Sequence, residues 1–216
     1  FLIFLLLINF YPAQGQNAID LDGINDVVTS NYPGILGNGA RTVEAWIKTT
    51  ANANPSAMGT QQIITDWGTF VTGGRFTFCV LWSNAIRIEV GGNGLSGNIA
   101  VNDGNWHHVA GVYNPTATNQ VSLYVDGVLD VAGNLTVATN TVSGTGVQIG
   151  QRIDNARRFD GTIDDVRVWS VARSQADIAA NRNNEICTFT QGLELNYNCN
   201  TGTAGGSNPG LTVLRD

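Results

Sequence analysis

The sequence is poor in charged residues and in histidine, and each shortage argues against a class of function. Charged residues make up 13% of the 216 residues, and lysine occurs once, as Lys48, against ten arginines. The formal net charge of −6 disfavours nucleic acid as a partner, because a phosphate backbone requires a clustered basic surface. The two histidines, His107 and His108, are consecutive. On a strand their side chains would point to opposite faces, so they could not share one catalytic site.

The sequence also lacks an apolar run long enough to cross a bilayer. Residues 1–10 contain only Asn9 as a polar residue, but a membrane-spanning helix needs about 20 apolar residues. An apolar run followed by small residues such as Ala13 and Gly15 is typical of a secretory signal peptide. We predict that residues 1–15 are an N-terminally truncated signal peptide, cleaved near Gly15, and that the protein is secreted or lies at the cell surface. A buried N-terminal strand or helix is the alternative.

Helical periodicity is almost absent, and short strands take its place. Runs rich in Val, Ile, Thr and aromatic residues recur between clusters of Gly, Asn and Asp. Residues 121–125 alternate apolar and polar side chains, and the following Asp126-Gly127 predicts a tight hairpin turn. One helix is predicted after Ser174, because Ser174 and Asp177 have the spacing of a capping box. These patterns predict an all-β fold, an antiparallel β-sandwich or jelly roll with one short C-terminal helix.

Five segments stand in the order of motifs from a known family. They are Ile19–Val28 (IDLDGINDVV), Thr42–Thr49 (TVEAWIKT), Asp103–Asn114 (DGNWHHVAGVYN), Val121–Asp130 (VSLYVDGVLD) and Phe159–Ser174 (FDGTIDDVRVWSVARS). Together they resemble the laminin G-like jelly-roll domain, part of the concanavalin A-like lectin and pentraxin group. The resemblance implies a concanavalin A-like jelly roll over residues 16–185. Residues 186–216, with a strand at residues 193–197, are expected to begin a following module or linker of a longer multi-module protein.

Aromatic and polar residues near strand ends are candidates for ligand binding. Trp67 and Trp82 lie beside small or polar residues, where an exposed ring can stack on a sugar. A polar loop that could flank such a site contains Arg152, Asn155, Arg157 and Arg158, and of these Asn155 and Arg157 are the candidate ligand-binding residues. The other three tryptophans fall inside family strand motifs and are interpreted as core residues: Trp46, Trp106 and Trp169.

These residues and the resemblance favour a non-catalytic recognition module for a polysaccharide or a glycoprotein. Catalysis is not expected, because glycoside hydrolysis needs two facing carboxylates. None of the four glutamates lies in the E-x-D-x-x-E pattern of glucanases with this fold, and the histidines form no triad. A structural or adhesive spacer and a polysaccharide-active enzyme are the alternatives.

Five oxygen-bearing residues predict a structural calcium site. Asp22, Asn25 and Asp26 crowd onto one turn, and calcium takes six to eight oxygen ligands. The first and last strands of a jelly roll are neighbours, so Asp164 or Asp165 could complete the shell. The resemblance supports this hypothesis, since many relatives bind calcium. Hydrogen-bonded Asx-turns are the alternative.

Three cysteines leave one unpaired in any arrangement. Cys187 and Cys199 would close a short loop, and we predict that they form a disulfide. Cys79 lies in an apolar strand and is interpreted as a buried thiol. A bridge between Cys79 and Cys187 is the main alternative.

Overall fold

Thirteen strands and one short helix account for the regular structure of the residues described. The structure is a computed structural model that describes residues 18–52, 61–186, 188 and 190–198. The predicted signal peptide (1–15), Cys187 and Cys199 lie outside the described residues. In chain order the elements are β1 (Ile19–Asp22), β2 (Val28–Thr29), β3 (Arg41–Lys48), β4 (Gln62–Gly68), β5 (Arg75–Val80), β6 (Ala85–Glu89), β7 (Gly94–Ala100), β8 (His107–Tyr113), β9 (Val121–Val125), β10 (Val128–Gly133), β11 (Thr145–Ile149), β12 (Asp160–Trp169), α1 (Gln175–Asn181) and β13 (Leu193–Tyr197).

The strands form two antiparallel sheets. In the first sheet the order is β1-β12-β3-β8-β9-β10, and β13 also pairs with β12. In the second sheet the order is β2-β11-β4-β5-β6-β7. Each sheet combines neighbours that are distant in sequence with neighbours that are connected by short turns, which is the pattern of a jelly roll. The predicted all-β, concanavalin A-like sandwich with one short helix is confirmed.

The core lies between the two sheets and follows the period-two alternation of the strands. In β5 the inward positions are Phe76, Phe78 and Val80, and each is fully buried in the main hydrophobic cluster. The first sheet contributes residues such as Ile47 and Val109 to the same cluster. Burial of this shared apolar surface holds the sheets together. The intervening positions of β5 therefore face outward, away from the first sheet.

The helix covers the outer face of the first sheet. Ser174 caps α1, and its hydroxyl and the Asp177 carboxylate make the reciprocal bonds of the predicted capping box. Ile178 is fully buried against Ala110, Val112 and Tyr124, which form a second, smaller hydrophobic cluster. The outer face of the second sheet is flanked by loops instead, and the candidate functional site lies on that face.

The strand at the C-terminal end belongs to the sandwich rather than to a following module. Residues 193–197 pair antiparallel with residues 166–169 of β12, and Leu195 is buried in the main core. Strand β1 pairs with residues 160–163 of the same β12. The two strands therefore share β12, and the expectation that residues 193–197 begin another module is corrected. The apolar positions of β13 complete this core, which the sequence pattern alone did not reveal.

Several connections meet at one end of the sandwich because of the strand registers. Five connections follow or precede strand ends that are paired with one another. They are residues 23–27, 81–84, 101–106, 126–127 and 150–159. Among them, Asp126 and Gly127 have φ of 53° and 80°, so the predicted hairpin turn is confirmed and requires left-handed backbone at both positions. We call this set of connections the end loops.

Candidate functional site

A groove with a volume of about 500 Å³ lies on the outer face of the second sheet. Its base includes Arg75 of β5 and Glu89 of β6, which alternate with inward-facing core residues. The connection from β4 to β5 contributes one side, and the loop 150–159 contributes another. Gly91 and Gly92 of the β6–β7 turn also line it. We define the sheet groove by six side chains: Phe70, Arg75, Glu89, Arg152, Asp154 and Arg157.

A buried carboxyl group anchors the groove from below. Asp66 of β4 is fully buried, and its Oδ1 accepts a hydrogen bond of 2.5 Å from the Thr77 hydroxyl. Its Oδ2 accepts one of 2.9 Å from the backbone N–H of Ile153 in the loop 150–159. Burial raises the pKa of Asp66 to about 7, although the Arg75 guanidinium, with Nε 3.7 Å from Oδ1, opposes the shift. Asp66 therefore joins the loop to the sheet.

Ion pairs and hydrogen bonds hold the base of the groove. Arg75 donates through Nη2 to Glu89, and Arg87 lies 3.4 Å from the other Glu89 oxygen. Gln61 donates from Nε2 to Glu89 Oε2 at 2.6 Å. Arg75 is 3% exposed, so its charge is desolvated and depends on these carboxylates. The positions of both Arg75 and Glu89 are thus fixed by the sheet and by each other.

Phe70 is the main apolar surface of the groove. The ring is 59% exposed. The Arg75 guanidinium lies 4.5 Å from the ring centroid, and the Arg152 guanidinium lies 5.0 Å from it. Both distances fall in the range of cation–π attraction. Phe70 therefore orders two guanidinium groups while keeping much of its own surface open to solvent.

The loop 150–159 is held by local hydrogen bonds. Arg152 binds Asp154 with two parallel bonds, Nε to Oδ1 at 2.8 Å and Nη2 to Oδ2 at 2.5 Å. The hydrogen bond from Arg152 lowers the pKa of Asp154. Gln151 donates from Nε2 to Asn155 Oδ1 at 2.9 Å. Asn155 and Arg157 have φ of 63° and 55°, a left-handed conformation that non-glycine residues rarely adopt. Such strain persists where the surrounding structure imposes it, and it is frequent at functional sites.

Arg157 differs from the other two arginines of the groove. Its Nη1 donates to the neutral Gln61 Oε1 at 2.9 Å. Within the part of the chain that the structure describes, its side chain makes no ion pair and no second hydrogen bond. Burial lowers the pKa of Arg157, and the positive charge of Arg152 lowers it further. The groove therefore contains one guanidinium that has no carboxylate partner among the described residues.

The four predicted ligand-binding residues fall into different places. Arg157 lines the sheet groove, and Asn155 lies in the same loop. Trp82 is 54% exposed in the β5–β6 connection of the end loops and does not line the groove. Trp67 is wrong as an exposed stacking residue, because it is fully buried against Phe76 with its Nε1–H donating to the Ile35 carbonyl oxygen at 3.1 Å.

The interpretation of the remaining tryptophans as core residues holds for only part of them. Trp169 is 3% exposed, with the Arg173 guanidinium 4.2 Å from its ring centroid. Trp46 is half-buried outside the main core, and its ring meets His108 edge-on with centroids 5.4 Å apart. Trp106 is 39% exposed, which corrects that assignment, because it precedes β8 in an end loop.

The sequence interpretation missed four residues of the groove: Phe70, Arg75, Glu89 and Asp154. The sequence did contain a pattern that could have identified two of these residues, Arg75 and Glu89. In β5 and β6 charged residues alternate with residues of the core, so Arg75 and Glu89 share the face opposite to Phe76 and Ile88. The signal for Phe70 and Asp154 was absent, since their approach depends on how two loops fold back over the sheet.

The five predicted calcium ligands do not lie together. Asp22, Asn25 and Asp26 share one end loop, where Asp26 Oδ2 accepts from the Asp22 backbone N–H at 2.9 Å. Strand register places Asp22 opposite Asp160, so Asp164 lies four residues farther along β12, about 13 Å away. Asp165 pairs instead with Arg167, with Oδ2 3.1 Å from Nη2. Among the described residues no group of three or more His, Cys, Asp or Glu is placed to hold a metal ion.

A second cluster of ionisable residues lies on the opposite side of the molecule and is closed to solvent. Glu44 is fully buried between His108, 3.3 Å away, and Arg173. Burial raises the pKa of Glu44, but the hydrogen bonds and charges of these two partners outweigh burial and lower it overall. Because His108 is 1% exposed, this cluster supports the segment around α1 and does not form an open site.

The chain is similar to known proteins in family and in fold. A laminin G family model, described as concanavalin A-like lectin/glucanases superfamily, matches residues 22–179. The chain belongs to this superfamily. No curated protein matches the chain by sequence. Within the described residues, no helix has the length and apolar character needed to cross a membrane.

Solved structures share the fold at low sequence identity. A Bacteroides ovatus protein, named for a proposed role in carbohydrate binding, is 20% identical with a TM-score of 0.62 over 86% of this chain. The chain spans 51% of that protein. Domain 4 of an extracellular arabinanase from Geobacillus stearothermophilus, solved with arabinotriose, is 16% identical with a TM-score of 0.55, covering 76% of this chain and 75% of that one. A pentraxin of Limulus polyphemus is 17% identical with a TM-score of 0.51, covering 76% and 81%.

Proposed function

We propose that this superfamily member is a non-catalytic carbohydrate-binding module, and that its ligand occupies the sheet groove. The observation that carries the proposal is the combination of an exposed aromatic ring with charged hydrogen-bonding groups in one preformed depression. Phe70 supplies the ring, and Arg75, Glu89 and Arg157 supply donors and acceptors around it. The solved relatives named for carbohydrate binding or crystallised with an oligosaccharide support the choice of ligand class.

The groove suits the surface chemistry of a sugar. A saccharide has hydroxyl groups that need both donors and acceptors, and apolar C–H faces that pack on aromatic or aliphatic surface. Guanidinium groups supply donors, the Glu89 and Asp154 carboxylates supply acceptors, and Phe70 and Val71 supply apolar area. A volume of about 500 Å³ lies within the range of small-ligand sites.

The groove is also organised before any ligand arrives. Asp66 fixes the loop 150–159 to the sheet, Asp154 fixes the Arg152 guanidinium, and Gln61 holds Arg157. Side chains that are already ordered lose little conformational freedom on binding, so more of the interaction energy becomes affinity.

The carboxylates of the groove do not favour hydrolysis. A glycosidase needs one carboxyl group held protonated as the general acid and a second that is free to act as base or nucleophile. Asp154 is bound by Arg152, which lowers its pKa, and Glu89 is bound by Arg75 and Gln61. Asp66 has the raised pKa of an acid, but it is fully buried and cannot reach a substrate. We therefore propose binding without catalysis, as a part of a longer protein exported from the cell.

Calcium remains a proposal for the end loop that contains Asp22, Asn25 and Asp26. It is supported by two carboxylates and one amide within five residues, and Asp165 is not included because it pairs with Arg167. Melting the protein in excess calcium and in excess EDTA tests it. A bound ion at 100 times its dissociation constant adds about 2.7 kcal/mol of stability. Superimposed melting curves, in protein free of metal at purification, would assign these residues to hydrogen-bonded turns alone.

A glycan array with three variants tests the proposed function. Phe70→Ala removes the exposed ring of the groove. Val128→Ala is a matched control, since Val128 is also 59% exposed but lies on β10 of the first sheet, outside the groove. We expect Phe70→Ala to weaken binding about tenfold or more and Val128→Ala to leave it unchanged. A loss in Trp82→Ala without a loss in Phe70→Ala would move the binding surface to the end loop around Trp82. Wild-type protein that binds no glycan would favour the structural or adhesive spacer.

A further inference from the structure

We propose that the sheet groove selects acidic saccharides, and that Arg157 binds a carboxylate of the sugar. This inference rests on the proposed carbohydrate-binding function and names the class of ligand. The inference depends on how three guanidinium groups of one groove differ in their carboxylate partners. The three groups belong to Arg75, Arg152 and Arg157.

Two of the three arginines already have carboxylate partners. Arg75 pairs with Glu89 and lies 3.7 Å from Asp66 Oδ1, and it is almost completely buried. Arg152 forms a bidentate pair with Asp154. A buried or bidentate ion pair is expensive to break, so neither group is available to bind an anion from solution without losing its partner.

Arg157 differs because, among the described residues, no carboxylate pairs with it. A guanidinium carries five N–H donors, and the described contacts of Arg157 use one of them, with the neutral amide of Gln61 as acceptor. The remaining donors form a planar fork that matches the two oxygens of a carboxylate. Burial and the nearby Arg152 lower the pKa of Arg157, and Glu89 and Asp154 offset this only in part. An incoming carboxylate would therefore stabilise the charged guanidinium.

The backbone holds this side chain in place. Arg157 has a φ of 55° in a loop that is fixed at Ile153 by Asp66 and at Asn155 by Gln151. Left-handed backbone is unfavourable for a residue with a Cβ, and the surrounding bonds maintain it. The strain therefore serves to direct a charged side chain at the rim of a preformed groove.

The charge of the groove favours a carboxylate over a densely sulfated chain. Three arginines and the two carboxylates Glu89 and Asp154 leave one positive charge among the six side chains that define the groove. One carboxylate on a sugar unit neutralises that charge. Several sulfates on one unit would bring excess negative charge close to Glu89 and Asp154, and like charges at short distance repel.

The test compares acidic oligosaccharides with their methyl esters. The probes are oligosaccharides of galacturonate, glucuronate, mannuronate and sialic acid, each beside its methyl ester, together with neutral oligosaccharides and sulfated heparin fragments. We expect at least one carboxylate-bearing probe to bind and its methyl ester to bind about tenfold more weakly or worse, which is the range of a hydrogen bond to a charged group.

Two variants assign the effect to one side chain. Arg157→Gln keeps a Cβ in the same left-handed position, removes the charge and should lose the preference for the acid over its ester. Arg158→Gln makes the same change of net charge one residue later, outside the groove lining, and should retain the preference. Thermal melting confirms that both variants are folded.

The possible outcomes distinguish a failure of the acidic-saccharide inference from a failure of the carbohydrate-binding proposal on which it rests. Binding of neutral glycans or methyl esters as strong as that of the acids, with a loss in Phe70→Ala, would overturn the acidic-saccharide inference and leave the carbohydrate-binding proposal standing. Preference for heparin fragments over every carboxylate probe, or an unchanged preference in Arg157→Gln, would also overturn it. Absence of binding to every probe would overturn both.

Discussion

The Asp66 carboxylate accepts a hydrogen bond of 2.9 Å from the backbone N–H of Ile153, although the two residues are 87 positions apart in the chain. Asp66 is fully buried on β4, and Ile153 lies in the loop that presents Arg152, Asp154 and Arg157 to the sheet groove. One buried carboxyl group therefore connects the strand scaffold to the loop that forms a side of the groove.

Burial of this carboxyl group makes stability depend on pH. Burial raises the folded-state pKa of Asp66 from 3.8 to about 7, so the folded protein holds this proton more tightly than the unfolded chain does. The resulting stabilisation is fully present below about pH 4 and is lost as pH rises through about 7. We expect the Asp66 contribution to fall by on the order of 2–4 kcal/mol across this window.

The variant Asp66→Asn tests this prediction. The substituted amide cannot ionise, so the free energy of unfolding of the wild type, relative to that of Asp66→Asn, should fall as pH rises from 4 to 8. Urea unfolding of both proteins at several pH values measures it. The comparison isolates Asp66 because His107, whose pKa is raised by its contacts with Asp126 and Asp103, is present in both proteins. A difference that is constant with pH would contradict the assignment.

The fold could be derived from the sequence to a large extent, and the groove could not. Alternation, Asp-Gly turns and the capping box at Ser174 are local signals, and each specified its element correctly. Trp67 was misassigned because its position beside Gly68 near a strand end suggested exposure, whereas it pairs with Phe76 and is buried in the core. Phe70 and Asp154 meet across the groove only after two loops fold over the sheet, which is a long-range relationship without a local pattern.

His107 gives a second pH-dependent contact, between two end loops. Its Nδ1 lies 2.9 Å from Asp126 Oδ2, and its Nε2 lies 3.1 Å from Asp103 Oδ1. Partial burial lowers the pKa of His107, but the hydrogen bonds to Asp126 and Asp103 outweigh it and raise the pKa above its ordinary value. The stabilisation is therefore present below about pH 6.5 and is lost as pH rises through the folded-state pKa.

The variant His107→Gln should consequently destabilise the protein more at pH 5.5 than at pH 8. The difference should be at most about 1 kcal/mol, because both partner carboxylates are exposed and solvent screens the pairs. Thermal melting at the two pH values checks it. An equal loss at both would mean that the contact is a neutral hydrogen bond.

Arg167 holds the C-terminal end of α1 on the first sheet. It is 1% exposed, and Nη2 donates to the Asn184 carbonyl oxygen at 2.7 Å and lies 3.1 Å from Asp165 Oδ2. Arg167→Met would leave Asp165 buried without its cation, so we expect a loss of about 3–5 kcal/mol in chemical denaturation.

Trp46→Phe is a milder variant of the same segment, and its loss of stability can be compared with that of Arg167→Met. It removes one hydrogen bond, from Trp46 Nε1 to the Arg182 carbonyl oxygen at 2.8 Å, and should cost about 1–2 kcal/mol. If Arg167→Met were no more destabilising than Trp46→Phe, the buried ion pair would not be the main contact of the segment.

Cys79 should be unreactive in the folded protein. It is a free, fully buried cysteine, and burial raises the pKa of its thiol, which suppresses the reactive thiolate. We expect a thiol reagent to modify Cys79 only after denaturation. Non-reducing peptide mapping tests in the same sample the prediction that Cys187 and Cys199 are joined, and a peptide linking Cys79 to Cys187 would contradict both statements.

The most direct test of the central claim is to locate a bound glycan on the protein. Uniformly ¹⁵N-labelled protein would be titrated with the strongest glycan from the array, and backbone amide shifts would be followed to saturation. The groove account predicts that the largest shifts fall on amides of Thr72, Gly91, Gly92, Ile153 and Arg157, which line or adjoin the sheet groove. Saturable shifts confined to the end loop around Trp82, or to the face covered by α1, would contradict it.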